Sequence, residues 1–383
     1  IQSWGISSVT FGVTDITLGA LVSPLTINKT FQVDIPATFV DDSTGASYVG
    51  TAYTFATQAA ENKLFSWGSN ATGKLGHNSE VNLSSPTQIP ATTWVANSLN
   101  QEWYYNCRTA ALTKSDGTLW TWGAAALGGL GQNDNVDRSS PTQVPGTTWS
   151  GAFCGNEGTT LATKTDGTLW GWGNNEIGEL SQNNVANYSS PIQIPGTTWS
   201  TGDYKISGII FSSFGIKTDN TLWAWGYNQF GQLGVNSRTQ YSSPVQVPGT
   251  TWAKTFGGQL ASYGIKTDGT LWSWGYNDHG ELGLNNKSRY SSPVQIPGTT
   301  WSTGSAGYQN VMVTKTDGTM WGWGQNEFDS LGLNTGNDTH KSSPTQIPGT
   351  TWSKVAMDRY SGVATKTDGT IWTWGYNDTG TLG

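Results

Sequence analysis

From Ile265 to Trp274 the chain reads Ile-Lys-Thr-Asp-Gly-Thr-Leu-Trp-Ser-Trp. Two short runs of β-forming residues flank Asp268-Gly269, a strong short-range hairpin signal, and the glycine takes a positive φ without side-chain cost. Alternation then sets Trp272 and Trp274 on one face of the second strand, with Leu271 and Ser273 on the other. The box occurs seven times, and the residue between its two aromatic positions is always small: Ser66, Thr121, Gly171, Ala224, Ser273, Gly322 or Thr373. Large rings on one face and Leu plus a small residue on the other describe a strand buried on both sides. The pattern predicts sheets packed face to face, about 10 Å apart.

The period is long and regular. Trp-Gly pairs begin at Trp67, Trp122, Trp172, Trp225, Trp274, Trp323 and Trp374, between 49 and 55 residues apart. Ser-Ser-Pro-x-Gln-[Ile/Val]-Pro starts at Ser84, Ser139, Ser189, Ser242, Ser291 and Ser342, and a Thr-Thr-Trp follows each, at Trp94, Trp149, Trp199, Trp252, Trp301 and Trp352. Of the 21 tryptophans, only Trp4 and Trp103 fall outside this scheme. A repeat of ~50 residues with about four short strands and no 3.6-residue period fits a β-propeller blade rather than a helical solenoid. The expected fold is all-β, a seven-bladed propeller of four-stranded antiparallel blades.

The run Leu271-Trp272-Ser273-Trp274-Gly275-Tyr276-Asn277-Asp278-His279-Gly280-Glu281-Leu282-Gly283, followed by Ser291-Ser292-Pro293, resembles the repeat of the regulator of chromosome condensation family. The resemblance covers roughly residues 35–383 and implies seven blades. We expect an N-terminal extension over 1–30 and the propeller over 31–383. Gly-Glu-Leu-Ser at 178–181 departs from the repeat by losing its last glycine, and the histidine that often precedes the family's hairpin is missing from every copy. The family's eukaryotic founder is an exchange factor for a small GTPase and binds chromatin through basic and loop elements outside the repeats. No such basic element stands at either end here. The near-identical copies, rich in Thr, Asn and Gly, are more similar to bacterial and bacteriophage members, which are mostly surface or virion proteins.

Composition narrows the function further. Charged residues are 12% of the chain and the formal charge is -7, which argues against wrapping nucleic acid or sitting on anionic lipid. The longest aliphatic stretch, near Ile16 to Val22, is far short of the roughly 20 residues of a membrane helix. The chain starts at Ile1 without Met, as a processed form or an excerpt would. Cys107 and Cys154 lack zinc spacing and leave the redox compartment open.

No nucleophile elbow, phosphate-binding loop or His-Glu-x-x-His occurs. His77, His279 and His340 sit at unequal places in their repeats, as loop histidines do. Asp166, Asp268, Asp317 and Asp368 stand at equivalent places, where a ring of carboxylates is one reading and hairpin-turn chemistry the simpler one. We therefore expect no enzyme activity, no cofactor and no metal.

Binding is expected where the copies differ, between Thr-Thr-Trp and the next hairpin. Trp103, Tyr104 and Tyr105, then Tyr204 and Lys205, then Asp358, Arg359 and Tyr360 fall outside the architectural pattern, and aromatics and Arg dominate interface hot spots. Filling gaps between unequal blades is the competing role. If the blades are in register, these segments emerge on one side of the disc with the Trp103–Tyr105 rings exposed. The expected function is a non-enzymatic structural or binding module, displayed outside the cell or on a virion, whose partner is a protein or glycan on a cell or virion surface. The alternatives are a small-GTPase exchange factor and a glycan-active enzyme. Residues within about 20 to 40 are expected to add a strand to the blade of Trp372 and Trp374 and close the ring; the same strand entering a neighbouring subunit would build a fibre.

Overall fold

The computed structural model describes residues 63–91, 93–95, 108–155, 158–336, 339–378 and 380–383, together with four strands nearer the N-terminus. The chain divides into two compact units, 1–62 and 63–383. In the first, β1 (Val9–Phe11) pairs with β2 (Ile16–Leu18) and β3 (Thr30–Asp34) with β4 (Ala52–Ala56), both antiparallel.

The second unit is a propeller whose blades are antiparallel meanders in chain order. Four are complete: β10 (Trp149–Cys154) to β13 (Tyr188–Gln193), β14 (Ile206–Ile209) to β17 (Tyr241–Gln246), β18 (Trp252–Gly257) to β21 (Tyr290–Ile296), and β22 (Trp301–Ala306) to β25 (Lys341–Ile347). Two have three described strands: β7 (Thr109–Thr113), β8 (Leu119–Gly123) and β9 (Arg138–Val144), and then β26 (Trp352–Met357), β27 (Ser361–Lys366) and β28 (Ile371–Gly375). The first copy of the repeat supplies only a two-stranded ribbon, β5 (Phe65–Gly68) with β6 (Leu83–Gln88).

The structure thus has six blades, not the expected seven. The ribbon's inner strands would have to come from residues before Lys63, and the described strands there, β3 and β4, pair with each other. The strand expected to close the ring, within about 20 to 40, falls largely outside the described residues. Among the described residues no fourth strand lies beside β28, and Ile371 and Trp372 are left 62% and 49% exposed.

Each repeat motif has a structural task. Leu-Trp-x-Trp-Gly is the third strand, and its Leu, small residue and second Trp are buried in all four complete blades, with Met320 in the Leu place in one. Ser-Ser-Pro is the outermost strand, where a proline without N–H is tolerated because its outer side pairs with nothing. The Asp-Gly turn places only the glycine at positive φ, as at Gly269 (φ 78), whose N–H donates to Lys266 O at 3.0 Å. Asp268 Oδ1 accepts from the N–H (3.0 Å) and hydroxyl (2.7 Å) of Thr270, and that hydroxyl accepts from Trp272 Nε1. The equivalent Asp residues do the same, so their regularity is turn chemistry.

Blades are joined by the second Trp of each box. Its ring is buried against the preceding copy, and its Nε1 donates to a loop carbonyl there: Trp122 to Lys74 (2.9 Å), Trp225 to Glu179 (2.6 Å), Trp274 to Gln232 (2.8 Å) and Trp323 to Glu281 (2.6 Å). Trp67 donates to Thr381 O at 3.1 Å, which brings the last copy to the first and closes the circle. Burying an indole removes about 200 Å² from water, worth ~5 kcal/mol, against about 1 kcal/mol for the bond. Burial holds the blades together, and the bond fixes their register.

Candidate functional site

In a four-stranded meander the first and third connections emerge at one end and the second at the other, together with the link to the next blade. At the first end, Arg359 and Tyr360 stand in the turn from β26 to β27. The Tyr360 ring lies 5.1 Å from Phe328 and 6.5 Å from Tyr376, which are themselves 4.9 Å apart. The Arg359 guanidinium covers Tyr308 at 4.5 Å and Tyr360 at 4.7 Å. Phe328 comes from the loop after β24 (Met320–Gly324) with φ 55 and an exposed ring. A bulky residue in the left-handed region is uncommon, and such strain clusters at functional positions. Burial raises the Tyr360 phenol, and Asp358 is raised by the same cause against the pull of its Arg359 neighbour. Two blades back, Phe230, Tyr276 and Arg289 repeat the arrangement, with Arg289 paired to Asp278 at 2.5 Å.

Lys205 lies at the other end. It immediately precedes β14, the innermost strand of its blade, and its Nζ donates to Ala253 O (2.6 Å), as Lys254 donates to Ser302 O of the following blade. Burial lowers both ammonium groups, and Lys205 and Lys354 depress Lys254 further. Asp203 reaches Lys354 Nζ at 3.8 Å. Tyr204 is buried in the core between blades, with φ 61, and its carbonyl accepts from Thr255 N–H. Tyr204 therefore fills a gap, while Arg359 and Tyr360, half-buried, join other aromatics at the loop end, with the Asp358 carboxyl buried beside them. The structure does not bring Lys205 and Arg359 together, so the variable segments are not one site. Trp103, Tyr104, Tyr105 and Cys107 lie outside the described residues. Cys154 is buried, with the Thr160 hydroxyl 3.8 Å from its Sγ.

Two features escaped the sequence reading. Phe328 joins the aromatic cluster from a loop whose motif suggested only a turn. The Lys of Lys-Thr-Asp-Gly sits over two indoles in six copies, as Lys266 does at 5.0 Å from Trp252 and 4.3 Å from Trp272. Its signal was available: in a chain with 19 Lys and Arg, six Lys share this one repeat position.

Among the described residues, no three His, Cys, Asp or Glu side chains are grouped to hold a metal ion. His279 and His340, both in loops, meet edge to face at 5.7 Å. Burial raises Glu281, which accepts His279 N–H at 2.8 Å, and Glu179, which accepts Ile177 N–H at 2.8 Å. A raised carboxyl keeps a proton that the unfolded chain has released, so stability falls as pH climbs from the ordinary glutamate range through the raised value. The hairpin aspartates Asp116, Asp166, Asp219, Asp268, Asp317 and Asp368 act oppositely. Hydrogen bonds from the Thr two residues on lower them, and their stabilisation disappears only in stronger acid. His77, lowered by burial, subtracts stability as it protonates. Through these glutamates the melting temperature should rise as pH falls from neutrality toward the ordinary glutamate range, with His77 opposing the rise, and should drop in stronger acid as the hairpin aspartates protonate. Glu281→Gln should flatten the rising limb in a thermal-shift pH series; an unchanged limb would show that Glu281 contributes nothing.

The family model of the regulator of chromosome condensation (RCC1) repeat matches residues 61–96, 116–162, 219–258, 268–313 and 317–357, more than half of the chain. The chain is 27% identical over 190 residues to the ultraviolet-B receptor UVR8 of Arabidopsis thaliana, an alignment covering 49% of this chain and 42% of that protein. It is 38% identical over 84 residues to the E3 ubiquitin-protein ligase HERC2 of Homo sapiens, covering 22% of this chain and 2% of that protein. The chain thus spans less than half the length of these relatives. Yeast RCC1 (Prp20), solved bound to Kap60, superposes with a TM-score of 0.70 at 17% identity over 85% of this chain and 81% of that one. Human WBSCR16 gives 0.68 at 17% identity, over 84% and 91%. At this identity the likeness shows the fold alone.

Proposed function

Because the chain belongs to the RCC1 repeat family, whose propeller is here a rigid frame for loops, we propose that it is a non-enzymatic binding module presenting the Arg359 cluster to a protein or glycan partner. The observation that carries this reading is the exposed ring of Phe328, held at positive φ beside Tyr360, Tyr376 and Arg359. Rigid aromatics beside an arginine give contact area at small entropic cost, and such residues dominate binding energy. Few charges, an acidic balance and exposed Thr and Asn favour display outside the cell or on a virion surface over a nuclear, nucleic-acid-bound role.

The test compares the intact chain with Arg359→Ala/Tyr360→Ala on arrays of cell-surface proteins and glycans. A ligand of this site should lose about 30-fold or more in affinity, as removal of a hot spot worth about 2 kcal/mol implies, with the melting temperature unchanged. Equal binding by both proteins would refute the site. A second reading rests on the likeness to Prp20, a protein studied for its binding to Gsp1p and histones. Catalysed nucleotide release from a small GTPase would establish that reading, and it rests on fold alone.

A further inference from the structure

The turns leading from the outermost strand of one blade to the innermost strand of the next repeat a single arrangement five times. Each holds Pro-Gly-Thr-Thr-Trp with the glycine and second threonine in the left-handed region, as at Gly249 (φ 93) and Thr251 (φ 69). A Cβ placed on Gly249 would stand 3.5 Å from Lys266 Nζ and 3.8 Å from Trp252 Nε1. At Gly146, Gly196, Gly298 and Gly349 the corresponding lysine distances are 3.9, 3.7, 3.5 and 3.8 Å, and the indole distances 3.6, 3.6, 3.7 and 3.5 Å. Two donors therefore flank one point that a methyl group would fill.

The indole donors there have no protein partner. Nε1 of Trp149, Trp199, Trp252, Trp301 and Trp352 makes no hydrogen bond, although each side chain is more than nine-tenths buried. The interblade indoles Trp122, Trp172, Trp225, Trp274 and Trp323 all have one, so the omission belongs to this position and is repeated with it. A buried donor left unmatched is costly and calls for an explanation. Around Gly249 the point lies in a cavity of about 410 Å³ walled by Pro248, Trp272 and Pro293, with Ser292 and Asn236 beside it. In the first copy Ala91 replaces the glycine at φ 88 and carries the methyl itself, and Trp94 Nε1 there is likewise without a partner.

We propose that these five niches are subsites for acetamido sugars. A carbonyl oxygen has two lone pairs and takes the indole N–H and the ammonium together, while the acetamido methyl and the apolar face of the sugar ring rest on Trp and Pro. The charge fits a neutral ligand. Lys266 is offset by Asp268 two residues on, so a phosphate or sulfate would find no excess positive charge. A peptide carbonyl is matched less well, since the edge strand that borders the niche, β21, brings Pro293 there, which has no N–H to pair with a peptide backbone. Five equivalent weak subsites on one rim suit a repetitive polysaccharide, whose binding gains from multivalency. This site lies at the opposite end of the blades from the Arg359 cluster and stands or falls separately.

The test is a titration of the full chain, with its indole nitrogens labelled, by chitotetraose and by cellotetraose, which differ in the acetamido group. Chitotetraose should shift the Nε1–H signals of Trp149, Trp199, Trp252, Trp301 and Trp352, leave those of Trp172, Trp225, Trp274 and Trp323 in place, and bind at least tenfold more tightly than cellotetraose. Gly249→Ala copies a substitution the first repeat already carries. It should silence the response of Trp252 while the other four persist. Lys266→Gln, which leaves the turn intact, should weaken that one subsite at least tenfold. Absence of indole shifts, equal response to both sugars, or an unaltered Trp252 response in both variants would overturn the proposal.

Discussion

Gly226→Ala should lower the melting temperature by on the order of 10 °C, and Gly68→Ala by less than half as much. Both glycines close a Trp-Gly pair with φ near 100°. At Gly226, however, a Cβ would stand 2.2 Å from Phe211 O, the carbonyl that accepts Tyr227 N–H at 2.8 Å, and 2.9 Å from Ser212 Cα. That backbone cannot retreat without breaking the turn between β14 and β15. The clash adds to left-handed strain of about 1–3 kcal/mol, for a cost of ~4 kcal/mol in all. At Gly68 the nearest atom among the described residues is Thr381 Cγ2 at 3.5 Å, an ordinary contact, so the strain is the main cost there. Thermal denaturation of the two variants side by side checks this; equal shifts would mean that close approach plays no part.

The second large effect is expected at Asn277. Its Oδ1 accepts Leu282 N–H at 2.9 Å, and its Nδ2 donates to Asn286 O at 3.0 Å and Ser288 O at 2.9 Å, all from a fully buried position. One amide thus ties both sides of the loop that accepts the next blade's tryptophan. Asn277→Ala removes three bonds worth about 1 kcal/mol each and leaves the buried Leu282 N–H unmatched, for a loss of ~4 kcal/mol. Hydrogen exchange should show the loss as unprotected amides over 277–289 and a weakened Trp323 indole. Protection equal to that of the unaltered chain would show that the loop holds itself.

Asn277 also shows where the sequence was readable. The Trp-x-Trp-Gly and Asp-Gly boxes predicted β20 and its hairpin because alternation and turn chemistry act over a few residues. Asn277 follows its Trp-Gly at a fixed distance too, but its partners lie up to 11 residues on, and nothing local in Tyr-Asn-Asp-His announces them. The count of blades failed for a related reason. Seven Trp-Gly pairs are visible, yet a sheet also needs inner strands, and those of the first copy carry no repeat motif. Of the residues chosen for binding, Tyr204 and Tyr360 look alike in sequence. One is buried and the other lies beside Phe328, 32 residues before it, a proximity that only the packing of adjacent blades creates.

The indole that each copy donates to the one before it makes every blade boundary head-to-tail. The ring is in effect a cyclic oligomer whose subunits share one backbone. Cut anywhere, it exposes an unused indole donor on one end and an unused loop carbonyl on the other, complementary but too far apart in one fragment to meet. Such ends join between chains, and when the rotation per step does not bring the last to the first they grow into filaments. A proteolytic piece of three or four blades would be its own polymerisation partner, whereas in the intact chain the Trp67 to Thr381 bond and the packing of Gly380 against Ser84 keep the two ends occupied.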